Sequence, residues 1–349
     1  MQIRQIPTDS HEEVLRVADE ATGLLAFIAI HSTQLGPAAG GLRMKPYDSE
    51  EEALNDALRL SHGMTFKTAA AGLPLGGGKA VIMGDPARDK TEALLMAFGR
   101  AVAALKGRYW TAEDMGMGPD DMAVIARETE FVAGRADGPH ASGDPSPVTA
   151  RGIFNAIRCT ARHRFGAADL AGRGVALQGL GHVGWQLAGL LHEAGARLIV
   201  ADMAPARCEA AAGAYGAKVV LAEDILSTEA DILAPCAIGG VLNGGTVPGL
   251  RVKAVAGGAN NQLATPADGD ALQARGILYA PDYVVNAGGI INVATEILRI
   301  EDRARFVTEK LAEAEATLDA ILARAAAQGL APHRIADETV LARMDRAAA

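Results

Sequence analysis

Between residues 174 and 289 the chain alternates short apolar runs with longer amphipathic ones. GVALQGLG, ARLIVADM, AKVVL, ADILAPCA, VKAVAGGAN and GILYAPDYVVNAGG read as strands closed by Gly, Pro, Asp or Asn. Their unbroken apolar character predicts parallel strands buried on both faces and joined by βαβ crossovers. HVGWQLAGLLHEAG, closing on Gly195, is the first crossover helix. Nearer the start, LLAFIAIHST predicts a strand. SEEEALNDALRLSHGMTFKTAAA predicts a helix capped by Ser49, with acidic residues in its first turn. AVIMGD predicts another strand and DKTEALLMAFGRAVAAL a second amphipathic helix. GRADGPHASGDPSPVTARGI, rich in Gly, Pro and Ser, marks a hinge at about 134–150. From about Arg303 to Met344 the pattern is helical again.

The predicted class is α/β with two domains and a cleft between them. Residues 1–140 form an N-terminal α/β domain for substrate binding and oligomerisation, with the C-terminal helices at about 325–349 packing back on it. Residues 145–325 form a Rossmann-type dinucleotide-binding domain. A length of 349 residues fits this division. The 40 glycines and few aromatics suit an α/β enzyme whose turns approach a ligand closely.

Charge narrows the partners. With 33 Lys and Arg against 42 Asp and Glu, the formal charge of -9 argues against nucleic acid or an acidic membrane surface. Cys159, Cys208 and Cys236 lie far apart without a C-x-x-C pair, so neither a disulfide framework nor a metal site is expected. MQIRQIPTDSHEE lacks a signal-peptide core, and no apolar run has the length of a membrane span. A cytoplasmic, soluble protein is expected.

VALQGLGHVGWQLAGLL places Gly179, Gly181 and Gly184 in G-x-G-x-x-G register, after a strand and opening a helix. The first glycine permits the tight turn, the second lets backbone meet a pyrophosphate, and the third lets helix and strand pack closely. The helix N-terminus offers free N–H groups to the negative charge. RLIVAD then ends in Asp202, placed to accept from the adenosine ribose hydroxyls and to repel a 2′-phosphate. NAD, rather than NADP, is the implied cofactor.

AAAGLPLGGGKAVIMGDP raises a different question, because a glycine loop closing on a lysine is how many phosphate cradles are built. The Walker pattern fails twice here: five residues separate Gly72 from Gly78, and Ala80 follows Lys79 where Ser or Thr is needed. A catalytic lysine is the alternative. Burial in a closed cleft and the nearby positive charge of Lys67 both favour the neutral amine, which acts as a general base. Taken alone, the two lysines are better explained as solvated, one on a loop and one at a helix end.

This stretch, with GPAAGGLRM before it and YWTAEDMGMGPDDM after it, resembles the Glu/Leu/Phe/Val amino-acid dehydrogenase family. The likeness continues through SGDPSPVTARG, GLGHVG, APCAIGGVLN, AGGANNQL and YAPDYVVNAGGIINV, in the family's order. It is nearest to the bacterial leucine, valine and phenylalanine enzymes. The resemblance implies that Lys67 binds the substrate α-carboxylate, Lys79 is the general base and Asp114 assists proton transfer at the amino group. It also places Gly40, Gly41 and Met64 against the substrate, and Asn260 beside both substrate and nicotinamide. Thr149 orients the carboxamide. Gly179, Gly181, His182, Val183, Gly184, Asp202, Ala237 and Asn286 complete the cofactor-binding set. The implied reaction is reversible oxidative deamination of an L-amino acid to a 2-oxo acid and ammonia. Family members are homo-oligomers.

Glutamate members carry a lysine before the Gly-Gly pair and a serine further on; here Ala39 and Val293 stand there. A side-chain carboxylate would be buried without a partner at a cost of several kcal/mol. Ala39, Ala112, Ile290 and Val293 therefore imply an apolar substrate of the leucine, valine or phenylalanine type. Ala39 stands where leucine-type members commonly carry Leu, which lengthens the pocket. Two other readings remain open. A non-catalytic NAD-binding regulatory relative has no need of Lys67, Lys79 and Asp114 together, and a hydroxy-acid dehydrogenase would want a catalytic His that none of the eight histidines supplies.

Overall fold

A computed structural model describes residues 1–138 and 140–348. The hinge expected at 134–150 includes Pro139, which lies outside the described residues. The chain divides into two compact units. Met1–Pro145, Ile290–Val307 and Ala342–Ala349 form the first, and Ser146–Gly289 with Thr308–Leu341 the second. The division thus departs from a single return point near 325.

The first unit is built on β1 (Gln2–Gln5), β2 (Glu13–Asp19), β3 (Leu24–Ser32), β4 (Ala38–Lys45), α1 (Glu50–Ala70), β5 (Gly76–Met83), α2 (Glu92–Ala104), β6 (Tyr109–Glu113) and α3 (Pro119–Ile125). Its sheet runs β1-β2-β3-β5-β4-β6. Short turns make β1, β2 and β3 antiparallel, whereas α1 carries the chain from β4 to a parallel β5. Ser49 caps α1 as its sequence predicts, its hydroxyl accepting from Glu52 N at 3.1 Å. Period-two alternation divides β3 between two cores. Ala26, Ile28 and Ile30 join Leu94, Phe98 and Ile125 of α2 and α3, while Phe27 and Ala29 join Ala53 and Ala57 of α1.

The three glycines before Lys79 belong to β5 and not to a loop. A Cβ on Gly77 would lie 2.1 Å from Thr65 N, one on Gly78 2.7 Å from the Tyr109 ring, and one on Gly76 2.0 Å from Ser32 O. The run lets α1 and the flanking strands close directly onto β5. Gly77→Ala should therefore cost about 3 kcal/mol, the upper end for overpacking because the obstacle is helix backbone. A clearly lowered thermal midpoint checks this.

The second unit is built on α4 (Ser146–Phe165), β7 (Gly174–Gln178), α5 (His182–Glu193), β8 (Arg197–Ala201), α6 (Pro205–Tyr215), β9 (Lys218–Val219), β10 (Ile232–Pro235), β11 (Ala254–Val255), α7 (Pro266–Ala274), β12 (Leu278–Tyr279) and α8 (Asp282–Val285). All pairings in its sheet, β12-β11-β10-β7-β8-β9, are parallel. The order reverses at β7, so the crevice beyond the carboxyl ends of β7 and β10 is a topological switch point. GILYAPDYVVNAGG makes only a two-residue strand, because Pro281 starts a helical turn whose Asp282 accepts from Gln262 N at 2.7 Å.

Three helices close the chain: α9 (Gly288–Ile297), α10 (Arg303–Gln328) and α11 (Pro332–Ala348). In the first unit, Arg343 of α11 donates to the carbonyls of Ala69 and Ala70 at the end of α1, at 2.6 and 3.0 Å. No described helix is long and apolar enough to cross a membrane.

Candidate active site

Alternation along β5 sends Ala80 and Ile82 into the α2–α3 core and Val81 toward α1. Lys79, two residues before Val81, therefore projects to the α1 side. Its side chain is only 7% exposed and ends 2.6 Å from Asp114 Oδ2, just beyond β6. The same carboxylate oxygen accepts from Arg43 Nε at 3.1 Å. Arg43 continues to Asp56 Oδ2 on α1 at 3.0 Å, where Tyr47 OH also donates at 2.9 Å and Arg59 reaches Oδ1 at 2.8 Å. Burial alone would push the Asp114 carboxyl up. The positive charges of Lys79 and Arg43 and the hydrogen bonds from Lys79 and Met115 outweigh it and hold Asp114 down at about 2. The result is an ionised acceptor gripped by two cations, with one of its sides open at 26% exposure.

The strands around this pair approach closely. A Cβ on Gly41 would fall 2.5 Å from Glu113 O and 2.9 Å from Asp114 Cβ; one on Gly40 would meet Gly78 O at 1.8 Å and Met64 Cγ at 3.2 Å. Met64 of α1 thus stands over Gly40, and half-buried Lys67 follows one turn later on the same face. Ala39 pairs with Trp110, and Gly41 with Ala112, in the β4–β6 register. Ala39 is fully buried and Ala112 9% exposed. Ile290, also buried, and Val293 lie one turn apart on α9, in the same unit. These positions all lie in the first unit.

In the second unit the fingerprint forms the turn from β7 to α5. Gly179 adopts φ 95°, a left-handed conformation that favours glycine, and a Cβ there would strike Ala237 after β10 at 2.9 Å. A Cβ on Gly184 would lie 2.0 Å from Gly179 O. Gly181, by contrast, faces open space and caps α5 without a side-chain bond. His182 is exposed and Val183 half-buried at the helix start. Asp202, beyond β8, accepts from Leu180 N at 2.7 Å and Ala204 N at 2.8 Å, with Arg207 at 3.7 Å. Burial raises the Asp202 carboxyl, but those bonds and Arg207 bring it below the ordinary range. Asn286 Nδ2 donates to Asn260 Oδ1 at 2.8 Å, joining the two predicted asparagines. Thr149, on α4, faces the Gly288–Gly289 backbone, where a Cβ on Gly289 would meet its Oγ1 at 3.1 Å.

Sequence reading missed Arg43 and Asp56, although Arg43 sits two residues past Gly41 on the same face of an alternating strand. It also missed three bare apolar side chains on loops at the carboxyl ends of strands: Met203 at 87%, Leu221 at 62% and Ile238 at 68% exposure. For Met203 and Ile238 the signal is an apolar residue directly after Asp202 or Ala237, just past the end of a strand. Nor did it find Glu296 of α9, whose carboxylate is buried against residues 134–142.

Two family profiles match the chain: the Glu/Leu/Phe/Val dehydrogenase dimerisation domain over residues 11–131, and glutamate/leucine/phenylalanine/valine dehydrogenase over residues 202–347. A leucine dehydrogenase of Geobacillus stearothermophilus is 52% identical over 84% of this chain and 80% of its own length. A phenylalanine dehydrogenase of Lysinibacillus sphaericus is 48% identical over 82% of this chain and 77% of its own. The crystal structure of L-tryptophan dehydrogenase from Nostoc punctiforme superposes with a TM-score of 0.83 at 42% identity, covering 97% of each chain. Profiles, relatives and fold lead to one conclusion: the chain belongs to the Glu/Leu/Phe/Val dehydrogenase family.

Proposed function

We propose that the protein catalyses the NAD-dependent, reversible oxidative deamination of an apolar L-amino acid, of the leucine, valine or phenylalanine type, to the 2-oxo acid and ammonia. The observation that carries this reading is the buried Lys79–Asp114 pair at 2.6 Å, backed by Arg43. Relatives that bear the names of leucine and phenylalanine dehydrogenases support the substrate class.

The residues of the second unit fit a dinucleotide. Gly181 opens on unfilled space at the N-terminus of α5, where no side chain caps the helix and backbone N–H groups donate to a pyrophosphate. Asp202 disfavours a 2′-phosphate, and the exposed side chains of Met203 and Ile238 offer apolar surface to a base. When bound, NAD supplies the two-electron acceptor for the substrate's Cα hydride.

In the first unit Lys67 holds the α-carboxylate by charge. Asp114, ionised and partly open, exchanges protons with the substrate amino group. Lys79, the ammonium partner of Asp114 at rest, first passes its proton to solvent; the free amine then takes the proton from a water that attacks the substrate iminium and returns it to nitrogen as the carbinolamine releases ammonia. Arg43 favours the ionised form of Asp114, so a proton taken up there is readily given back. Ala39, Ala112, Ile290 and Val293 line the side-chain pocket without a charge, which excludes glutamate. The family name of the first matched region, a dimerisation domain, supports a homo-oligomer assembled through the first unit.

The test is a panel of L-amino acids with NAD and with NADP, following absorbance of the reduced nicotinamide. We expect turnover with leucine, valine or phenylalanine, little with glutamate, and a preference for NAD. NAD binding by calorimetry with no turnover on any of the amino acids would replace this reading by a regulatory one.

A further inference from the structure

We propose that Cys159, His163 and Asp319 bind a thiophilic divalent cation of the zinc class that braces α4 against α10 within the second unit. Cys159 and His163 are four residues apart and share one face of α4. Asp319 comes from α10, so no sequence spacing signals the trio. The three ligand atoms lie within 4.8 Å of one another. Cys159 Sγ is 3.9 Å from Asp319 Oδ1, and His163 Nε2 is 2.7 Å from that same oxygen. Zn–S and Zn–N/O bond lengths in a tetrahedral site set ligand separations of roughly 3.4–3.6 Å. One gap must close slightly and the other open, which are side-chain adjustments.

A cation already occupies the place. Arg162 Nη2 stands 2.8 Å from Asp319 Oδ1 and 3.7 Å from Cys159 Sγ. Its side chain is 47% exposed and can swing into solvent. The negative potential is not Asp319's alone, since Glu315, one turn earlier on α10, acts on the thiol as well. Binding forms an S–metal bond and releases the thiol proton to water, while the Nε2 proton that His163 shares with Asp319 leaves that nitrogen, with Nδ1 as the protonated ring atom, so that Nε2 ligates the metal. Thiolate and carboxylate then neutralise the dication, with water in the fourth position. Sulfur and imidazole ligands select zinc-like ions over magnesium or calcium.

Cobalt(II) is the probe, added to the metal-stripped full-length protein. We expect about one equivalent bound, by the tetrahedral limit of one ion per such ligand set, with a thiolate-to-cobalt charge-transfer band. Cys159→Ser removes the band. His163→Ala and Asp319→Asn each weaken binding at least about tenfold, the lower bound for loss of even an outer-shell partner. Arg162→Ala strengthens it. Zinc raises the melting temperature of the unmodified protein and leaves that of Cys159→Ser unchanged. The proposal is overturned if no thiolate band appears, or if the band survives in Cys159→Ser. Should Cys159→Ser lose its circular-dichroism signature, the partly exposed His163→Ala and Asp319→Asn decide: unchanged cobalt affinity in both rejects the site.

Discussion

Lys79→Met is expected to lower kcat for the preferred amino acid by about 10²–10⁴-fold, the contribution of a positioned general base. Methionine keeps the buried stem on β5 and removes only the amine. Asp114 keeps Arg43 at 3.1 Å, so the carboxylate left behind is still paired and the fold survives. KM should change little, because the substrate carboxylate is assigned to Lys67 on α1 and not to Lys79. Lys67→Ala should behave in the opposite way, raising KM first. Asp114→Asn should also be slow, and the double variant should be hardly slower than either single one, since the two groups act as a unit. Steady-state kinetics with a melting curve for each variant separates the cases. A Lys79→Met enzyme retaining more than a tenth of its kcat would remove the lysine from the reaction.

How much of this was legible depended on where each constraint resides. The second unit follows from local pattern: continuous apolar strands, a glycine fingerprint and Asp202 at the next strand's end each carry their own meaning, and the parallel order around β7 results. The first unit was read only in part. LLAFIAIHST and the Ser49-capped helix were clear, but β4, whose GPAAGGLRM carries a glycine pair, shows no propensity for a strand. It is a strand because β5 and β6 flank it and admit no side chain at Gly40 or Gly41. The glycines before Lys79 misled for the same reason, since glycine signals a turn locally and close packing only once α1 is seen at Gly77. Lys79 and Asp114 were assigned through family motifs, and the structure pairs them. Their link to Arg43 and Asp56 could not be, because it joins a strand, a helix and a loop 13 to 71 positions apart in sequence.

Glu296→Ala is expected to be among the most destabilising single substitutions, costing about 3–5 kcal/mol as the loss of one partner from a buried ionic network. The Glu296 side chain is 2% exposed. Its Oε2 accepts from Gly134 N at 2.8 Å, Arg135 N at 3.4 Å, Ser142 N at 3.2 Å and Ser142 Oγ at 3.1 Å, while Oε1 pairs with Arg135 Nε at 2.7 Å. Gly134, Arg135 and Ser142 lie outside helix and strand, so their backbone N–H groups have no ladder to satisfy them. Asn292 and Arg303 add bonds to Ser142 O at 3.1 and 2.7 Å, so α9 and the start of α10 hold the segment at several points within the first unit. Removing the carboxylate strands buried donors and a guanidinium at once, whereas Glu296→Gln keeps an acceptor and should lose about half as much, near the value of a charged hydrogen bond. The melting temperature of Glu296→Ala should fall by roughly 10 °C, with new protease cleavage between 134 and 145. A fall of only a degree or two would mean that water replaces the carboxylate without cost and that the segment is held by Asn292 and Arg303 instead.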